Sequence, residues 1–318
     1  MSVKNNPNAI YINRLYKAPV NMVWDAWTDP AQVAQWWGPR GFTITTHSKD
    51  LRVGGTWDYT MHGPDGKDWE NSTKYHEVEK YKRLVYDHGG HKTQPPLFRV
   101  EVNFFDLKEN TRMEMMMILP TPEAAKETKK FIKQASGDST WDRLAEYLEK
   151  YTSGKDQFVI NRTFEAPLSL MSKMWTDPKH FSKWLAPTGF EMNFVRADIK
   201  SGGSSFYFME NADGFKMYGR ANYKQVTPTR LEYTQEFCDE KENQTRHPAA
   251  PNWPAVMLTT VDLIEEDSNH TRVSITWEVV GDYTADELET FVNGKAGMTM
   301  GWTGSFDKLE DYLTTAKL

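Results

Sequence analysis

The sequence predicts an α+β protein made of two tandem copies of one domain, each a curved antiparallel β-sheet wrapped around a long C-terminal helix. Three observations carry this reading. The 318-residue chain repeats itself at an offset of 148. Within each copy the hydrophobic period changes to two after a pair of short helical patterns. Each copy then closes on a long helical pattern opened by a capping-type motif.

The repeat is the strongest of the three. Tyr11-Ile-Asn-Arg14 with Ala18-Pro19 recurs as Val159-Ile-Asn-Arg162 with Ala166-Pro167, and Trp27-Thr-Asp-Pro30 recurs as Trp175-Thr-Asp-Pro178. The same offset relates Trp36 to Trp184, Gly54-Gly55 to Gly202-Gly203 and Tyr75 to Tyr223. Past Arg83-Leu84 it drifts, reaching 160 at Thr111-Arg112 and Thr271-Arg272, and 165 at Leu144–Leu148 and Leu309–Leu313. The second copy therefore carries insertions. The copies meet at Tyr151-Thr-Ser-Gly-Lys-Asp156, polar and glycine-containing as a linker should be, which sets the expected domains at 1–152 and 155–318.

In each copy an alternating strand comes first (Ile10–Tyr16; Phe158–Phe164) and stops at Ala-Pro. Apolar residues at helical spacing follow over Val20–Thr28 and Leu168–Thr176, closed by Asp-Pro because a residue before proline avoids the α region. A second short helix runs from Pro30 or Pro178 through the tryptophans behind it. About six consecutive antiparallel strands come next, separated by turn signals such as Gly63-Pro-Asp-Gly66 and Asp267-Ser-Asn269. Single terminal helices are expected over Thr121–Lys150 and Thr284–Ala316, opened by Thr121-Pro-Glu-Ala and Thr284-Ala-Asp-Glu287.

Composition excludes several function classes. Lys+Arg number 38 against Asp+Glu 44, a formal charge of −6, which argues against a nucleic-acid surface. The longest apolar runs fall far short of the ~20 residues that cross a bilayer. The N-terminus lacks the apolar core of a secretory signal. One cysteine, Cys238, cannot form an intramolecular disulfide or a cysteine cluster. A cytoplasmic protein is the expectation. No nucleophile triad, phosphate-cradling loop or HExxH motif occurs, and the eight histidines show no metal-ligand spacing, so neither a catalytic set nor a metal or other cofactor is expected.

Val23-Trp-Asp-Ala-Trp-Thr-Asp-Pro30, Trp36-Trp-Gly-Pro39, Gly54-Gly-Thr-Trp-Asp-Tyr-Thr-Met61 and Leu144-Ala-Glu-Tyr-Leu148 resemble the helix-grip superfamily. This superfamily, called START-like or SRPBCC, includes START domains and polyketide cyclases. The resemblance narrows to the branch related to the C-terminal domain of the activator of the heat-shock protein 90 ATPase. The second copy is similar through Trp175-Thr-Asp-Pro178, Trp184, Gly301-Trp302 and Phe306-Asp-Lys-Leu309. The first copy departs from the pattern with Ser136-Gly137 where the second has Gly301-Trp302, and the second has Ala186 where the first has Gly38. The resemblance implies two tandem helix-grip domains, each with a space between curved sheet and terminal helix.

Alternation assigns the walls of that space. In copy one they are Trp57, Tyr59, Met61, Val100, Val102, Phe104, Met113, Met115 and Met117; in copy two, Tyr207, Met209, Val256, Leu258, Val273, Ile275 and Trp277. Such side chains line apolar ligand pockets and also fill solid cores. Tyr59, Tyr207, Tyr75 and Tyr223 carry hydroxyls that need partners if buried. His62, His76 and His88 are the candidate bases, Glu114 and Glu278 fall on the opposite strand face, and Arg14 and Arg162 suit structural ion pairs. Phe206 and Phe208 point outward and mark an interface with the first copy or a second chain. The leading expectation is non-catalytic binding of an apolar or amphipathic small molecule. The alternatives are a stress-related or co-chaperone protein acting through a protein partner, and a cyclase or aromatase enzyme. Pairing of the domains within the chain and a homodimer are the assemblies considered.

Overall fold

The computed structural model describes residues 6–90, 94–134 and 139–315. The chain divides into two compact units, Met1–Gly154 and Lys155–Leu318.

In the first unit β1 (Ala9–Tyr16) leads into α1 (Val20–Thr28) and the single-turn α2 (Pro30–Val33). Six strands follow: β2 (Thr43–Lys49), β3 (Thr56–His62), β4 (Asp68–Glu79), β5 (Arg83–His88), β6 (Phe98–Leu107) and β7 (Asn110–Ile118). Helices α3 (Pro122–Gln134) and α4 (Ser139–Ser153) end the unit. The second unit repeats the order with β8 (Gln157–Phe164), α5 (Leu168–Thr176), α6 (Pro178–Phe181), β9 (Phe190–Ala197), β10 (Ser204–Asn211), β11 (Lys216–Val226), β12 (Arg230–Cys238), β13 (Val256–Asp267), β14 (His270–Val279), α7 (Ala285–Asn293) and α8 (Lys295–Thr315). Each sheet has seven antiparallel strands, the six of the meander with the opening strand added beside the last.

Matching local devices build both copies. Asp29 and Asp177 have extended ψ values of 127° and 116°, ending α1 and α5 before proline, and their carboxylates then cap the next helix by accepting from Ala31 and Lys179 amides. The Gly-Gly pairs are required twice over. Gly54 and Gly202 have φ of 80° and 81°, while a Cβ on Gly55 or Gly203 would lie 2.1 or 2.2 Å from the carbonyl oxygen of Asp50 or Asp198. Register shifts at Thr46/Ser48 and Tyr75/Glu77 have counterparts at Phe206/Tyr207 and Tyr223/Gln225, and such bulges bend a sheet. The Trp36 and Trp184 indoles donate to the carbonyls of Ala26 and Met174, locking each tryptophan under its helix.

A cation from the terminal helix holds the turn that follows. Arg143 donates to the carbonyls of Gly38, Pro39 and Phe42 at 2.8–3.0 Å. Lys308 donates to those of Ala186, Pro187 and Phe190 at 2.8–3.0 Å.

The single terminal helices expected from sequence are corrected to two in each copy. In the second the break falls at Gly294, where a Cβ would sit 3.0 Å from the Trp253 ring. Both opening motifs act as expected: the Ala124 amide donates to Thr121 Oγ1, and Thr284 and Glu287 form a complete capping box. The Ser136-Gly137 departure lies outside the described residues. Four positions later, Trp141 stacks on Trp27 at 5.4 Å, as Trp302 stacks on Trp175 at 6.3 Å.

Candidate functional site

Sheet register sorts the expected wall residues. Trp57, Tyr59, Val100, Val102, Phe104, Met113, Met115 and Met117 all lie on the concave face of the first sheet and are buried in its core, with Met61 half-buried beside them. There the space is occupied by rings. Trp37 lies 5.2 Å from Trp57, 5.8 Å from Trp27 and 6.2 Å from Trp141, and its indole donates to the Tyr59 hydroxyl at 3.1 Å.

The second copy differs at three matched positions. Leu185 stands where the first copy has Trp37, Ser205 where it has Trp57, and Gly219 where it has Asn71. Of these, Leu185 and Gly219 border one corner of the concave face and leave it with less side-chain volume than Trp37 and Asn71 would. A cavity of about 440 Å³ occupies it, within the usual range for small-molecule pockets. Tyr207, Met209 and Trp277 line this cavity as expected. Val273 and Ile275 face the same side but are fully buried core residues. Leu258 and Val256 are corrections: Leu258 sits opposite Glu278 and Thr234, and Val256 opposite Glu236, so both belong to the convex face. The period-two reading slipped by one residue, and Met257 is the one that meets the cavity.

Several walls came from parts of the chain that alternation does not reach. Helix α8 offers Gly297, Met298, Gly301 and Trp302 on one side, and a Cβ on either glycine would meet nothing within 4 Å. The 239–255 connection, longer than its counterpart in the first copy, contributes His247 and Trp253. It is anchored by the Arg246–Glu287 ion pair to the start of α7 and by Glu242, which pairs with Arg196.

Among the described residues, the polar groups around the cavity are few, and the one carboxylate among them, Glu236, is paired. Tyr207 has no hydrogen-bond partner among the described residues, and burial raises its pKa well above the phenol range. Tyr223, deeper in, shares a hydrogen bond with Ser205 at 3.1 Å and is pushed up to about 12 by burial. The His247 pKa is lowered by burial, and its Nδ1 accepts from the Ala249 amide. The Glu236 carboxylate is held by Arg220 at 2.7 Å.

The other candidates do not converge on a site. His62 and His76 pair with Asp68 and Asp87 at 2.7 Å, while His88 stacks on Phe98 and is lowered to about 4 by burial. Arg162 forms its expected ion pair with Asp307 at 2.6 Å, whereas Arg14, buried on the concave face, donates to the Asn13 carbonyl. Glu114 and Glu278 lie on the convex face, half-buried and paired with Arg112 and Lys155. Phe206 is not an exposed interface residue. It is 5% exposed, stacked on Tyr218 and flanked across the sheet by Arg196 and Arg220, both paired with Glu242. The inserted connection covers this aromatic within its own domain.

No helix among the described residues is long and apolar enough to cross a membrane. No curated protein matches the chain. Among solved structures it is similar to protein Ms6760 from Mycobacterium smegmatis, with 22% identity, 51% of this chain and 93% of that one covered, and a TM-score of 0.42. Protein NE0264 from Nitrosomonas europaea is 25% identical over 46% and 97% of the two chains, with a TM-score of 0.42. DynU16, a protein in the dynemicin biosynthetic locus, is 17% identical over 96% and 98%, with a TM-score of 0.34. Residues 17–149 and 165–314 each match the model of one family. That match, on both copies of the α+β helix-grip fold, makes the chain a tandem member of the Activator of Hsp90 ATPase homolog 1-like protein family.

Proposed function

We propose that the protein binds an apolar or amphipathic small molecule in its second domain without transforming it, and that the first domain is a filled scaffold of the same fold. The observation that carries this is the 440 Å³ cavity, lined by tryptophans, methionines and Leu185, which stands where the first copy has Trp37. The state of the polar groups supports binding over chemistry: the tyrosines are held protonated by burial and the Glu236 carboxylate is committed to Arg220. Cys238, buried and unpaired, fits a reducing compartment, and we place the protein in the cytoplasm.

Native mass spectrometry of freshly purified protein, repeated after denaturation, tests the reading. The expected result is an excess mass that disappears on denaturation and is absent from Gly301→Leu, whose new side chain enters the cavity. A clean apo mass for the wild type, with no thermal shift from a lipophilic library, overturns it in favour of a protein partner.

A further inference from the structure

The Tyr59 and Tyr207 phenols occupy matched positions with opposite hydrogen-bonding states. Tyr59 is 1% exposed and accepts from the Trp37 indole. At Tyr207 that donor is gone, because Leu185 replaces it, and the hydroxyl has no partner among the described residues although the side chain lines the cavity. The Tyr207 side chain is half-buried and faces the apolar cavity, so its hydroxyl is free to pair with a polar atom of a bound molecule. The phenol is also seated deliberately. Gly219 lies opposite it across the β10–β11 pair, and a Cβ there would come within 2.7 Å of the Tyr207 hydroxyl.

The remaining walls define what such a molecule must be. Trp253, Trp277, Trp302 and Phe237 present rings, and Met209, Met217, Met257 and Met298 present thioethers. These are the partners that aromatic faces and edges prefer. Neither sign of charge would be compensated: no cationic side chain lines the cavity among the described residues, His247 is kept neutral, and the Glu236 carboxylate is taken by Arg220. The Gln235 amide, also on the wall, adds a second neutral donor and acceptor. Resting on the cavity reading above, we infer that the ligand is an uncharged aromatic molecule of about two or three fused rings carrying a hydroxyl or carbonyl oxygen, and that Tyr207 is the specificity-determining residue that hydrogen-bonds this oxygen.

Three probes of one size separate the contributions: 2-naphthol, 2-methylnaphthalene and 2-naphthoate, titrated into the full-length protein and followed by tryptophan fluorescence and calorimetry. We expect 2-naphthol to bind about three- to tenfold more tightly than 2-methylnaphthalene, the range set by one net neutral hydrogen bond, and 2-naphthoate to bind more weakly than either. Tyr207→Phe, which removes one oxygen, should abolish the preference for 2-naphthol and leave 2-methylnaphthalene unchanged. Leu185→Trp, which restores the first copy's ring and donor, should exclude all three. Equal affinity for the three probes, or a 2-naphthol preference that survives Tyr207→Phe, overturns the anchor and leaves the cavity reading standing. No binding of any probe, together with a clean apo mass, overturns both.

Discussion

A single ring shows how far matched positions can diverge. His88 in the first domain lies 4.9 Å from Phe98 and 6.5 Å from Trp37, and burial lowers its pKa to about 4; the second domain has Gln235 there. Below the ordinary histidine pKa of 6.5 the unfolded chain takes up a proton that the folded ring refuses until about pH 4. Stability contributed by the neutral ring is therefore full above pH ~6.5 and is lost as pH falls through that window, by on the order of 2 kcal/mol for this half-buried group. Urea titrations between pH 7 and 4 should show this loss, and His88→Gln should flatten it. Two glycines give a second contrast. Gly219→Ala drives a Cβ against the Tyr207 phenol and should destabilise by about 1–3 kcal/mol. Gly301→Ala places its Cβ in open space within α8 and should stabilise by about 0.5–1 kcal/mol. Thermal denaturation of the two variants checks both signs.

At the scale of elements, each domain depends on small polar ties between segments far apart in sequence. The Thr111 and Thr271 hydroxyls, both fully buried, donate to the carbonyls of Ala18 and Ala166 at 2.8 Å and so fasten the Ala-Pro turn to the sheet. Thr271→Val keeps the shape and orphans the Ala166 carbonyl, which should cost about 1–3 kcal/mol in urea titration. Element boundaries were legible where local chemistry decides them. The Asp-Pro stops, the Gly-Gly turns and the Thr284-x-x-Glu287 box are each closed by residues within a few positions. The break at Gly294 was not, because the Trp253 ring packed against it comes from another part of the chain. Leu258 was misplaced for a related reason: Val256, Met257 and Leu258 are all apolar, so alternation had no polar residue by which to set its phase.

For the molecule as a whole, duplication separates two uses of one fold. Trp37 packs against Trp57 in the first domain, and Leu185 and Gly219 border an open corner in the second. The division should be transferable. In a Leu185→Trp background, where the second cavity is closed, Trp37→Leu opens a space in the first domain at a cost of about 2–5 kcal/mol. Binding of 2-methylnaphthalene, lost in Leu185→Trp, should return in the double variant, and calorimetric titration of the two proteins decides it.

The amino-acid sequence by itself determined the tandem organisation, the α+β class and the concave-face membership of most wall residues, because repeat spacing, period and turn chemistry are local properties of the chain. It also carries the Trp37/Leu185 and Asn71/Gly219 differences, both of which border the open corner. Only the tertiary structure decided that those two positions meet at one place, that α8 and the 239–255 connection complete the walls, and that the Tyr207 hydroxyl is left without a partner. Empty volume and an unpaired hydroxyl are properties of what surrounds a side chain, and those surroundings come from residues distant along the chain.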